Sequence, residues 1–490
     1  MSRGKKLAIA ALVLVALIVA AVAIIVPQLV NLDRYRPEVI ANIERGTGRS
    51  VEIGRLRLSV LPVIAVRADH IAVGNPPGFP AGHLLEIKRA EAELDVRALL
   101  DRRIVVRSVD FDDPEVNLVS TSDGHWNSEA PARPVVRPAE WTPEATAASQ
   151  RIVRVRFEHG HVTVANALPS GTVQPPAFEA AEVTVELDDV NPEALGLNLM
   201  PASLGWRSPT SPLPRIARFR RALLQTDNRA TLTVPPGAIA AQGTFSARSA
   251  HFGGAAAANL QSQIELRSGG VMLRRFSMDL AGGQVTGEFA WSSAAEPASY
   301  GVQTMLANVD LARLLAGFPG ASDKITGTLD GQLDLMGVNL PSADPLANKE
   351  GQGRITVRNG TLPTLQLNRN LMELMKSVLR VRTESGDASA FQSISADLEI
   401  GDGEIHSRQI TIVGNGMDID ASGALALAGE GRLDYQGVSK MNARRNGFEG
   451  IVAGLLGSKV SADGRIDVPF TITGTLDRPR FALKNSPLFH

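Results

Sequence analysis

His159 and His161 stand two residues apart in a run of alternating apolar residues, so both imidazoles would project from one face of a strand, as a two-histidine metal site requires. No third histidine or carboxylate is placed by the sequence to complete that site, and the pair reads as the polar surface of a hairpin. Asp110, Asp112, Asp113 and Glu115 offer dense negative charge, but they lack the glycine and terminal glutamate of an EF-hand loop. With Pro114 among them, a solvated turn is expected. Arg151, Arg154 and Arg156 cluster without the aromatic ladder of a single-strand nucleic-acid channel and read as a wet sheet face.

Other chemistry is excluded more directly. The chain has no cysteine, which removes disulfides, thiolate zinc sites and thiol catalysis. It has no H-E-x-x-H, no Walker A lysine loop and no G-x-S-x-G elbow. Gly351/Gly353, Gly401/Gly403, Gly414/Gly416 and Gly429/Gly431 form Gly-x-Gly pairs, but none has the third glycine of a dinucleotide loop, so hairpin turns are expected. No catalytic residue, metal or cofactor is predicted, and the chain reads as a protein that is not an enzyme. A formal net charge of -1 leaves no electrostatic footprint for nucleic acid.

The elements that remain are mostly strands. Aromatic residues are only 4% of the chain while glycine (45) and proline (29) abound, which suits short strands joined by turns. Leu56, Leu58 and Val60 alternate with Arg55, Arg57 and Ser59, and Ala92, Leu94 and Val96 alternate with Glu91, Glu93 and Asp95. Val153, Val155 and Phe157 lead to Gly160, with Val162 and Val164 beyond, which reads as strand, turn, strand. The clearest run sets Ile325, Gly327, Leu329, Gly331, Leu333 and Leu335 against Thr326, Thr328, Asp330, Gln332 and Asp334. Helical spacing appears over Leu371–Leu379, Val309–Ala316 and Phe448–Leu456, and proline-rich stretches at Ser128–Gln150 and Asn191–Pro214 read as loops or linkers.

Leu7–Val26 contains only Leu, Ala, Ile and Val, and a helix of that length at about 1.5 Å per residue crosses a hydrocarbon core of about 30 Å. A cleaved signal peptide is the alternative, because Ala21 and Ala23 have cleavage-site spacing behind a basic start, but the apolar run continues past the usual length through Val26. Arg3, Lys5 and Lys6 against Arg34, Arg36 and Arg45 tip the orientation only slightly toward a cytoplasmic N-terminus. Beyond Pro37, Val39, Ile43 and Gly46 suggest a short amphipathic helix leading into the first strand near the bilayer surface.

In order along the chain, the anchor, Gly48-Arg49-Ser50-Val51-Glu52-Ile53-Gly54, Pro62, Asn75-Pro76-Pro77-Gly78-Phe79, Val96-Arg97-Ala98-Leu99-Leu100 and Arg103-Ile104-Val105-Val106 resemble the AsmA family of bacterial envelope proteins. Val309-Asp310-Leu311, Leu314-Leu315, Ile325-Thr326-Gly327-Thr328-Leu329, Ile466, Pro469, Phe470, Gly474-Thr475-Leu476-Asp477 and Pro479 continue the likeness, which covers about residues 1–120 and 300–482. The middle of the chain shares only the strand rhythm. The resemblance implies an inner-membrane-anchored periplasmic protein with a long curved β-groove, tied to phospholipid traffic and outer-membrane integrity, with no catalytic residues to carry over.

The expected fold is therefore mainly β: an N-terminal transmembrane helix, then an elongated, curved antiparallel sheet forming an open groove, with a few short amphipathic helices. Its expected segments are an anchor at 1–30, an N-terminal β region at 31–125, a loop or linker at 126–150, a middle groove region at 151–345, a C-terminal β region at 346–482 and a tail at 483–490. In such a groove Ile325, Leu329, Leu333, Leu335, Leu398, Ile400, Leu425, Leu427, Phe470 and Ile472 are the candidate lipid-lining residues, and Leu7 and Val26 mark the ends of the anchor. Phospholipids and the inner membrane are the expected partners, with the outer membrane and other envelope proteins as further candidates. The alternative is a closed β core serving as a structural or assembly factor for outer-membrane proteins.

Overall fold

The structure is a computed structural model describing residues 32–484 except 61–62, 102–104, 129–150, 193, 195–231, 233, 293–297, 319–320, 323, 339–345, 364–389, 415–416, 430 and 443–464. The anchor Leu7–Val26 and the helices expected at Leu371–Leu379 and Phe448–Leu456 lie outside the described residues. No helix among the described residues is long and apolar enough to cross a membrane.

The described chain is mainly β. Its strands are β1 (Val51–Ser59), β2 (Ala65–Gly74), β3 (His83–Leu94), β4 (Val106–Ser120), β5 (Ile152–Asn166), β6 (Phe178–Val190), β7 (Ile239–Phe252), β8 (Ala255–Arg267), β9 (Gly270–Leu280) and β10 (Gly283–Ser292). They continue with β11 (Ser299–Asp310), β12 (Thr328–Val338), β13 (Lys349–Thr361), β14 (Ala390–Gly401), β15 (Glu404–Gly414), β16 (Met417–Ala426), β17 (Arg432–Asn442), β18 (Arg465–Thr475) and β19 (Pro479–Leu483). Helices are short: α1 (Arg36–Thr47), α2 (Val96–Leu100) and α3 (Leu311–Leu315). The chain divides into two compact units, and β7 and β8 each contribute residues to both.

In the first unit, β1 to β4 pair antiparallel in chain order and β5 pairs with β6 the same way. The β4–β5 pair is parallel, a departure from the all-antiparallel expectation. A parallel neighbour requires the chain to return to the starting end, and the segment 121–151, which contains the expected proline-rich loop, is long enough for that return. In the second unit β9 to β19 pair antiparallel, each with the next. All nineteen strands belong to one sheet, and among the described residues β1 pairs only with β2 and β19 only with β18, so it stays open at these two strands.

Local features keep the apolar residues on one face. In β1 to β3 the buried cluster contains both Ile53 and Leu56, both Ala68 and Ile71, and Ala90. Those members are three apart within a strand, so each strand takes one extra residue at the same level. The extra step runs along a single line: Gly54 and Lys88 share it with His70 (φ 52°), Asp113 (φ 52°) and His159 (φ 58°). A matched bulge on every strand preserves pairing while switching side-chain parity. This corrects two sequence expectations. Ile152–Asn166 is one continuous strand with a bulge at His159, where a hairpin was expected, and the acidic run lies inside β4, where a turn was expected.

α1 begins with Pro37 in its first turn and ends at Gly48, whose left-handed φ of 68° lets its N–H bond Glu44 O at 2.7 Å. Val39 and Ile40 pack on the apolar cluster, whereas Ile43, expected on that stripe, is exposed. α3 is shorter than the expected Val309–Ala316, because Val309 and Asp310 still belong to β11. The Asp310 carboxylate caps it by accepting from Arg313 N–H at 3.2 Å.

The opposite face is laced with cross-strand ion pairs: Arg67 with Glu91 at 2.9 Å, Arg354 with Asp397 at 2.6 Å, Lys440 with Asp420 at 2.8 Å and Lys88 with Asp113 at 2.6 Å. Hydrogen bonds from Arg354, Lys440 and Lys88 hold the Asp397, Asp420 and Asp113 carboxyls below the ordinary value of 3.8. Because the folded values are depressed, these pairs stabilise the protein above about pH 4 and lose that effect as pH falls through the lower folded values. The pairs are exposed, so each contribution is small and weakened by salt. A series of thermal melts should hold a steady Tm down to about pH 5 and then fall, with Arg354→Gln flattening part of the fall; an identical acid limb in that variant would remove Asp397 as a contributor.

Candidate functional site

Register in the second unit carries the candidate residues onto a common face. Leu333 faces Gly353, which faces Leu398; the row continues through Ser407, Gly423, Tyr435, Ile472 and Phe481. A neighbouring row runs Leu335, Gly351, Ile400, Ile405, Leu425, Leu433. Leu329 and Phe470 belong to two further rows of the same face, Leu329 beside Val357 and Ile394, and Phe470 beside Gly437 and Ala421. Eight of the ten candidates therefore share one face, while Ile325 precedes β12 and Leu427 follows β16.

Burial divides that face. The Leu329 row is covered along most of its length: Val357 is 2% exposed, Ile419 2% and Val468 1%. Met417, Ile419, Leu433, Val468, Phe470 and Ile472 form a packed cluster, with Leu362, Tyr435 and Phe481 against it. Phe470 and Ile472 thus lie in a filled core. Leu333, Leu335 and Leu398 are half-buried, as are Ile325 and Leu427, whereas Leu425, also half-buried, packs against that cluster.

A feature the sequence did not reveal shapes the face. Large side chains lie flat across glycines on the neighbouring strand. A Cβ on Gly353 would stand 3.1 Å from Leu333 Cδ1, one on Gly351 3.1 Å from Leu335 Cδ1, and one on Gly331 3.1 Å from Ile355 Cγ2. Aromatic rings do the same: Tyr300 over Gly337, Tyr435 over Gly423 and Phe470 over Gly437. Gly351 and Gly353 consequently sit inside β13, not in a hairpin turn as expected, because the leucines opposite occupy the space their side chains would need. Gly429 and Gly431, with φ of 67° and 74°, are in a connection as expected.

The first unit has a corresponding face. Phe111 of β4 and Phe157 of β5 stack across the parallel pair with ring centroids 4.8 Å apart. The opposite face holds the polar groups singled out in the sequence. Arg154 and Arg156 both pair with Glu186 at 3.2 Å, and Arg151 with Asp189. His161 Nε2 lies 3.3 Å from Glu179, so it does not join His159, whose Nδ1 is 3.2 Å from Asp112. Asp112, Asp113 and His159 are close enough to share an ion, but the carboxylates already meet Arg89 at 3.4 Å and Lys88 at 2.6 Å.

The model of the AsmA family matches residues 1–187 and 210–410. This takes in most of the middle of the chain, where the sequence reading found only strand rhythm, and stops short of β16 to β19. No curated protein and no solved structure matches the chain.

Flat packing makes the glycines intolerant of a side chain. Gly353→Ala would also bring Cβ to 2.9 Å from Gln332 O, a backbone atom that cannot rotate away. A loss of about 1–3 kcal/mol is expected from such overpacking, read by urea denaturation of the full chain; wild-type stability would contradict the arrangement.

Proposed function

The chain belongs to the AsmA family, and on that premise we propose that it binds phospholipids by their acyl chains on the apolar sheet face and lets them move along it, in support of outer-membrane lipid homeostasis. In this reading Leu7–Val26 holds it in the inner membrane with its N-terminus in the cytoplasm, and the sheet lies in the periplasm. No bond is made or broken, and neither metal nor cofactor is called for.

The observation that carries the reading is the set of half-buried leucines on a face whose reverse side is wet with ion pairs. An open sheet normally hides such a face under another layer. The helix described in the second unit is too short to do so: α3 has 5 residues, of which only Leu311 is buried. Each acyl CH₂ withdrawn from water there is worth about 0.8 kcal/mol, and repeated similar rows prevent any one position from becoming a trap. Ion pairs on the reverse face would keep that side solvated and direct lipid to the other.

The packed cluster around Phe470 favours a second reading, a structural or assembly factor whose sheet faces are filled from within. The two separate in cells. A photoreactive residue at Leu333 should yield phospholipid adducts, and one at Phe470 should crosslink only within the chain. Protein adducts alone at Leu333 would reject lipid binding on this face and favour the assembly factor.

A further inference from the structure

In the first unit, at the end where β1 and β3 begin and β2 ends, the loop from Gly74 to Gly82 folds over the link between α1 and β1. Between them is a cavity of about 410 Å³, more open to solvent than enclosed, lined by Arg49, Asn75, Pro76, Phe79, Pro80 and His83 among others. That volume is within the range of small-ligand sites. It belongs to the first unit, whereas the rows of leucines belong to the second.

The walls are preformed. Gly74 N–H donates to Ser50 O at 2.9 Å and Asn75 N–H to Gly82 O at 3.1 Å, closing the loop onto β1 and onto itself. The Asn75 amide donates to Pro80 O at 2.9 Å and accepts from Asn127 Nδ2 at 2.8 Å. Asn127 is fully buried, and its other bonds go to the backbone of Val119 and Asn117 at 2.9 and 2.7 Å. A side-chain lock reaching from the end of β4 thus fixes the loop, and a ligand would not bear the cost of ordering it.

The lining combines one permanent cation with apolar surface. Arg49 is one of the lining residues, and partial burial pushes its guanidinium pKa down. His83 lies on the same lining, with Glu86 3.9 Å from its Nδ1 and shared with His70 at 3.6 Å. Pro76, Phe79 and Pro80 supply the remainder. A guanidinium offers a planar fork of donors suited to phosphate oxygens, and apolar walls suit an anion carrying an ester chain.

We propose that this cavity receives the phosphate of a phospholipid headgroup, with Arg49 as its principal ligand and His83 as a second donor, at the point where lipid leaves the bilayer for the sheet. The proposal rests on the lipid-binding reading above and on Leu7–Val26 as the anchor, which places α1 and Arg49 next to the membrane surface.

Binding to the full-length chain in uncharged detergent tests it, using soluble dihexanoylphosphatidylglycerol, dihexanoylglycerol and inorganic phosphate as separate probes. Arg49→Gln should weaken the phospholipid about tenfold or more, Arg49→Lys should weaken it less, and His83→Gln should have a smaller effect, with dihexanoylglycerol unchanged throughout. Matching melting curves for the variants will show that folding is retained. Equal phospholipid affinity in wild type and Arg49→Gln would overturn the headgroup site and leave the acyl-chain reading standing. Failure of both amphiphiles to bind wild type would overturn both. Inorganic phosphate binding as tightly as the phospholipid, and losing affinity in Arg49→Gln, would overturn the lipid source in favour of a free-phosphate site.

Discussion

Side-chain parity is the constraint on which the rest of this protein depends. In a strand, successive residues point to opposite faces, so a slip of one position moves every apolar side chain into water. Long strands also need bulges to bend and twist, and each bulge threatens such a slip. In the first unit the bulges are answered strand by strand. Gly54, His70, Lys88, Asp113 and His159 occupy one transverse line, so the first five strands change parity together. The second unit takes its extra residue on one strand only: Leu306 to Val309, with Asn308 at φ 55°, lies opposite Gly331 to Leu329, and Ser407 to Ile410 lies opposite Gly423 to Ala421.

Constant parity allows the two faces to specialise. Charged residues opposite one another on the wet face find cross-strand partners, as Arg67 does with Glu91. On the apolar face the same geometry sets leucines and aromatics beside glycines, and the large side chains lie across the small ones. Where further residues cover the face, as around Val468 and Phe470, it becomes ordinary core. At Leu333, Leu335 and Leu398 the side chains are only half-buried by the described residues.

Much of this was legible in the sequence because period-two alternation is a strong signal: the run read from Ile325 to Leu335 overlaps β12, which begins later, at Thr328, and ends at Val338, and it set Leu329, Leu333 and Leu335 on one face. Reading failed where local spacing was made to stand for tertiary pairing. Gly160 looked like a turn because glycine after alternating valines often is one, yet the strand runs through it, with Pro114 of the neighbouring strand and Val183 packed close by. Pro114 and the acidic run likewise looked incompatible with a strand interior, but the bulge at Asp113 accommodates them. The parallel β4–β5 pair had no local signature, since its direction depends on where a long connection returns. The Arg49 cavity was hidden for the same reason: Asn127 lies far along the chain from Asn75, and only the fold brings them together.

Flat packing of large residues over glycine has an evolutionary consequence. Leu333 and Gly353, or Tyr435 and Gly423, fill one shared volume from two strands, so neither member can drift alone. A lineage that enlarged one position would have to shrink its partner, and swapped pairs, with glycine on the opposite strand, would serve equally well. Substitutions on this face are therefore coupled in pairs set by register, and it is the combined size of each pair that the packing constrains.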